Sequence, residues 1–362
     1  MGTMLWRAFD KRTWEYNQLN LGPSVRISRR RVERIMGTYF SDAGSRHKPI
    51  LKAILAMALT GAVCVPLCSA QSQTPDWQAA AGGKMVFDTA SVHESTTAES
   101  PHEFGPNFPL GPGDVYIPNG GHFRAANLPL VVYIKFAYKI TDNQEQFLLP
   151  QLPNWVTTTS FDIQGTAQGN PTKDQMRLMM QSLLADHFRL AIHYETRRVP
   201  VFELLVDQAG TLGPLLQRHP DDSPCPTTFR SPSPTDPPQT IDSRFPATCG
   251  GLMGMNPSAP GRFRAGARNV PMELIASSMT GGASGLDRPV LDRTGLTGKF
   301  DFAIEFSPQP DVPSAPGANF RPDPTGPTFM EALKQQLGLK LAPLTGPFDV
   351  LVIDNVEEPS AN

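Results

Sequence analysis

The feature that most constrains the fold is an internal repeat: landmarks between Gly121 and Asp207 return in the same order between Gly261 and Asp354. Gly121-His-Phe123-Arg124-Ala125 and Asn127-Leu-Pro129 reappear as Gly261-Arg-Phe263-Arg264-Ala265 and Asn269-Val-Pro271. In each copy an apolar stripe follows, through Leu130, Ile134 and Tyr138 or through Met272, Ile275 and Met279. A spacing of three and four predicts a helix with one buried face. Asn127 and Asn269 are expected to cap these helices, with Pro in the first turn, where its missing N–H is not needed.

Phe161-Asp162-Ile163 and Phe300-Asp301-Phe302 then open predicted strands. A second helix starts in each copy at a capping box, Thr172 with Gln175 and Thr328 with Glu331. The earlier helix runs to Phe188. The later one ends at Leu337, about seven residues sooner, which is close to two turns and keeps the buried face in place. Strands are predicted at Arg189–His193 and Leu339–Leu341, and last at Pro200-x-x-x-Leu204-Leu205-Val206-Asp207 and Pro347-x-x-x-Leu351-Val352-Ile353-Asp354. Each unit reads β-α-β-α-β-β. Two tandem, pseudo-symmetric units predict an α+β fold with helices packed on mainly antiparallel or mixed sheet. Leu184 is expected to match Leu333, and Leu204 to match Leu351, on inward faces. A unit of roughly 90 residues is near the lower size at which a core is comfortable alone, so the copies are expected to share one body.

Residues 1–47 read as a disordered or wrongly assigned N-terminal extension, with translation beginning at Met1 or Met36. Residues 48–70 read as a signal peptide: basic His47-Lys48, an uncharged apolar run from Ala53 to Leu67, then Cys68-Ser69-Ala70 before Gln71. An apolar run of roughly 15 residues is shorter than the ~20 needed to span a bilayer, so no stable membrane span is expected after cleavage. The mature chain is expected to be exported, periplasmic or secreted. It divides into a first repeat with a leading strand (71–217), a Pro-rich linker (218–260) and a second repeat (261–362). Cys225 and Cys249, the cysteines left after processing, are expected to form a disulfide.

A formal charge of −2 and a pI near 6.4 argue against a nucleic-acid binder, which should show a basic face. The histidines at 47, 93, 102, 122, 187, 193 and 219 include no pair at the helical spacing of a zinc motif. Asp186-His187 and His193 come nearest to a constellation and read as surface residues. Gly281-Gly-Ala-Ser284-Gly285 is not a nucleophile elbow, because Gly285 follows the serine directly; it reads as a flexible turn. Asp292 to Lys299 reads as a tight turn into the Phe300 strand. No catalytic, cofactor-binding or metal-ligating residue is assigned, and no cofactor is expected.

Phe87-Asp-Thr-Ala-Ser-Val92, Gly121-His-Phe-Arg-Ala-Ala-Asn-Leu-Pro129, Gln175 to Leu190, Val290-Leu-Asp-Arg-Thr-Gly-Leu-Thr-Gly-Lys-Phe-Asp301 and the ending from Val350 together resemble the soil-associated acidobacterial protein family. The resemblance covers nearly all of the mature chain. It implies an exported protein from a paralogue-rich group of uncharacterised function, and it brings no catalytic residues. Each copy alone is similar in pattern to the short N-terminal domain of secretins and TonB-dependent receptors, a protein-contact module of the envelope.

These readings lead to a non-catalytic extracytoplasmic binding or interaction module with an envelope protein as partner. The candidate contact strand is Val350, Leu351, Val352, Ile353 and Val356: an apolar ending followed by Glu357-Glu358-Pro359 resembles a blunted sheet edge that accepts a partner strand. The alternative is a hydrolase in which Asp186, His187 and Asp292 converge only in three dimensions. Oligomeric state is not legible.

Overall fold

The computed structural model describes residues 74–95, 105–116, 118–221, 244–308 and 321–359. The N-terminal extension, the leader, Cys225 and the centre of the linker lie outside the described residues. In chain order the elements are α1 (Asp76–Ala80), β1 (Thr89–Glu94), β2 (Gly105–Pro106), β3 (His122–Pro129), α2 (Leu130–Ala137), α3 (Asp142–Leu148) with a 3-10 turn at Leu149–Gln151, α4 (Asn154–Thr158), β4 (Ser160–Thr166), α5 (Lys173–Phe188) and β5 (Ala191–Val206). Then follow β6 (Leu216–Arg218), β7 (Leu252–Met255), β8 (Phe263–Pro271), α6 (Met272–Ser277), β9 (Val290–Asp292), β10 (Lys299–Phe306), α7 (Phe329–Ala332), extended by a wider turn at Leu333–Leu337, and β11 (Leu339–Asn355). The fold is α+β.

Two four-stranded sheets have the same internal order, β1-β4-β3-β2 and β6-β10-β8-β7. A third sheet has the order β11-β5-β9. All pairings are antiparallel except that of β5 with β9. The β7 strand is a departure from the linker reading, since it lies inside 218–260.

The repeated Gly-x-Phe-Arg-Ala-x-Asn-x-Pro motif does not cap a helix. The capping positions of α2 and α6 are Pro129 and Pro271, with no side-chain bond. Asn127 and Asn269 instead take left-handed backbone at φ 57° and 55°. There the strand register slips, between Ala125 and Leu128 and between Ala267 and Val270. The bulge exposes an amide on each strand, and the repeated Phe-Asp supplies its acceptor: Asn127 N–H donates to Asp162 at 2.7 Å and Asn269 N–H to Asp301 at 3.0 Å. Asn is among the few residues that visit this conformation readily, which explains its place in both copies. The motif glycine has a similar reason. Gly121 and Gly261 sit at φ 83° and 79°, and a Cβ would stand 1.8 Å from the Ala167 carbonyl or 2.3 Å from that of Arg321. Both expected capping boxes form, at Thr172–Gln175 and Thr328–Glu331.

The two closing strands expected in each copy are one continuous strand of 16 residues in β5 and 17 in β11. They pair along their length as a ribbon, with Val199 opposite Gly346 and Leu351 opposite Tyr194. Prolines do not break it. Phe202 N–H donates away from β11, to Pro289, so Pro200 and, across the ladder, Pro343 and Pro347 also face their missing N–H outward, where no ladder bond is lost.

One face of the ribbon serves two interiors. At one end Tyr194 and Leu351 join a core built on Phe123, Phe136, Phe161, Met180, Leu184 and Phe188. At the other, Leu204 and Leu339 join a core built on Val270, Ile275, Phe300, Phe302, Leu333 and Leu337. Leu184 and Leu333 are both fully buried, one in each core. The opposite face carries Val201, Phe348 and Val350.

Candidate functional site

In the first sheet, residues paired across strands share a face. Thr89, Thr166 and His122 form one row, and Ser91, Gln164 and Arg124 the next. The opposite face, with Phe123, Ala125, Phe161 and Ile163, is buried in the core. The polar rows therefore look outward, where with Asn107 they line a shallow open concavity of about 490 Å3. Thr89 and Thr166 hydroxyls meet at 2.6 Å, while Asn107 holds the rim by donating to His122 O and accepting from Arg124 N–H. Beyond the rows, Asp162 accepts from Ser95 Oγ at 2.5 Å.

The second sheet treats the same face differently. Asp301 lies 2.6 Å from His219 Nδ1, and both are buried. Arg268 approaches the other carboxylate oxygen at 3.9 Å. Glu305 accepts from Ser258 N–H at 2.8 Å and from Ser258 Oγ, and pairs with Arg262 at 3.3 Å. Every residue of β10 after Lys299 is buried. His219, Ser258 and Arg262 thus cover this face, whereas among the described residues the polar rows of the first sheet line a concavity. The buried His219–Asp301 pair has one signal in the sequence, the repeated Phe-Asp.

The residues considered for hydrolysis are dispersed. Asp186 and His187 are exposed on the last turn of α5. Asp292 is on β9 and accepts from both the N–H and hydroxyl of Thr294, which makes the expected turn. His193 is exposed between Asp354 at 2.8 Å and Glu195 at 3.2 Å; these hydrogen bonds, Asp354's first, raise its pKa. Ser284 is tied into its own turn by donating to Met279 O at 2.6 Å. Among the described residues, no group of three or more His, Cys, Asp and Glu is arranged to hold a metal ion. Among the same residues, no helix is long and apolar enough to cross a membrane. Cys249 is fully buried.

The candidate contact strand lies on β11, at the end of the three-stranded sheet. Val350 and Leu351 are buried, Val352 and Ile353 half-buried, and Val356 packs against the first core. On the outer edge the Gln151 carboxamide donates to Leu351 O and accepts from Ile353 N–H, both at 3.0 Å. Those are the bonds that a parallel neighbouring strand would make opposite Val352. Asn143 occupies the edge of β9 in the manner of an antiparallel neighbour, donating to Val290 O at 2.8 Å and accepting from Val290 N–H at 2.9 Å. Between them Phe147 packs on Phe348, with ring centres 5.4 Å apart.

Residues 132–356 match the family described as "Protein of unknown function (DUF3738)". No curated protein and no solved structure matches the chain.

Proposed function

We propose that this chain, which belongs to the DUF3738 family of proteins of unknown function, is an exported, non-catalytic binding module whose contact surface is the open outer face of its first sheet. The observation that carries this reading is the contrast between the two sheets. Among the described residues, one face is closed by His219, Ser258 and Arg262 of the same chain; the other is a concavity lined by Thr89, Ser91, Asn107, His122, Arg124, Gln164 and Thr166, with Ala90, Phe123 and Gly165. Hydroxyl and carboxamide side chains that both donate and accept, held on a paired sheet beside the donor Arg124, suit a partner that presents polar groups along an extended segment. The partner is an envelope protein. Export follows from the leader reading and from the resemblance to the soil-associated acidobacterial family.

The test is capture from the organism's own envelope fraction by the processed protein and by Gln164→Arg/Thr166→Arg. Loss of one defined partner, with an unchanged circular dichroism spectrum, supports the reading. Capture that survives the double substitution overturns it, as does turnover of an ester, peptide or glycoside that vanishes in His187→Ala. Intact mass beginning at Gln71 is the expected product of processing.

A further inference from the structure

We propose that the segment Leu110–Tyr116 is a proton-controlled latch between the two halves, seated while the Lys173 amine is neutral and lifted when it becomes an ammonium. Lys173 is the first residue of α5, at the end of a helix that disfavours a cation, and Arg177 stands one turn on. Both are buried. Their partners are almost all carbonyls of one loop: Lys173 Nζ donates to Gly111 O at 2.9 Å and Gly113 O at 2.7 Å, and Arg177 Nη2 to Gly111, Pro112 and Gly113 carbonyls at 3.0–3.1 Å. A neutral amine has two N–H donors, matched by two carbonyls. An ammonium adds a third donor and a charge beside a guanidinium that has already taken the same acceptors.

The loop's other side holds the second half. Val115 N–H donates to Gly250 O at 3.0 Å, and a Cβ on Gly113 would stand 2.4 Å from that oxygen. Asp114 lies 3.6 Å from Lys139, beyond α2, and 3.6 Å from Lys299 on β10. The charged groups facing Lys173 are therefore Arg177 and Asp174 on α5, Asp114 on the loop and Lys139. Burial and the Arg177 charge pull the Lys173 amine down to about 6, with the carboxylates opposing. Protonation then favours lifting the loop so that water reaches the ammonium.

Hydrogen exchange of amides 110–116 in the full chain, corrected for intrinsic rate, tests this. Protection in the unsubstituted protein should fall at least tenfold between pH 7.5 and pH 5, while α5 amides stay protected. Lys173→Met should abolish that step, and Lys173→Arg should leave the loop unprotected throughout. Protection that is flat with pH in the unsubstituted protein, or a step retained in Lys173→Met, overturns the proposal. If the variants do not fold, nitrogen-15 NMR of the lysine amines decides instead: a Lys173 amine titrating near the ordinary ~10.4 overturns it, and one titrating near neutrality upholds it.

Discussion

Leu204 and Leu351, at matching places in the repeated ending Pro-x-x-x-Leu, are buried in opposite cores: Leu204 in the second and Leu351 in the first. The ribbon crosses its strand ends between halves, so neither interior is complete without the other copy.

Leu204→Ala and Leu351→Ala should therefore each weaken the whole molecule by about 2–5 kcal/mol, the usual result of opening a cavity in a packed core. Denaturant unfolding followed by tryptophan fluorescence, to which Trp155 of the first core contributes, and by circular dichroism should give one coincident transition in both variants. Separate transitions for the two halves would contradict the crossing.

At the bulges, Asn127→Gly and Asn269→Gly should be nearly neutral. Asn127→Ala and Asn269→Ala should lose roughly 1 kcal/mol, because a Cβ without a compensating side chain is strained at positive φ. Asp162→Ala should lose about 1–3 kcal/mol by leaving the Asn127 amide without its acceptor. Urea midpoints measure all five.

Lys173 sets a sign for the pH dependence of stability. Its folded pKa, about 6, lies below its ordinary value, so between those values the unfolded chain binds the extra proton and stability rises with pH. The slope is at most about 1.4 kcal/mol per pH unit. Between pH 6.5 and 9 the unfolding midpoint should climb in the unsubstituted protein and climb less in Lys173→Met.

Cys249, buried beside the loop latch through Gly250, is expected to be joined to Cys225. Closing a loop of roughly 25 residues restricts the unfolded chain by about 3.5 kcal/mol in the entropy description. Non-reducing peptide mapping should recover the linked peptides, and two alkylatable thiols would refute the pairing.

Features that depend on a few neighbouring residues were legible in the sequence. Thr172–Gln175 and Thr328–Glu331 are capping boxes because both partners lie within one turn, and the apolar stripes of α2, α5 and α6 follow from helical period alone. Asn127 and Asn269 were misread because Asn favours both a helix start and left-handed backbone, and the deciding partner, an aspartate, comes more than thirty residues later. The single long strands were hidden by Pro200 and Pro347, which look like breaks until the ladder shows which way they face. The Gln151 and Asn143 edge bonds span 200 and 147 residues and had no local signal. The open face of the first sheet was equally silent, since Thr, Ser, Gln and Arg on alternate positions describe any solvated strand.

The paired ribbon also changes what the connection between Asp221 and Arg244 is for. Once the chain has folded, that connection no longer holds the halves together, because each has threaded a strand into the other's interior. A protein cleaved there, with the expected Cys225–Cys249 bond reduced, would behave as an obligate heterodimer, parting only on denaturation.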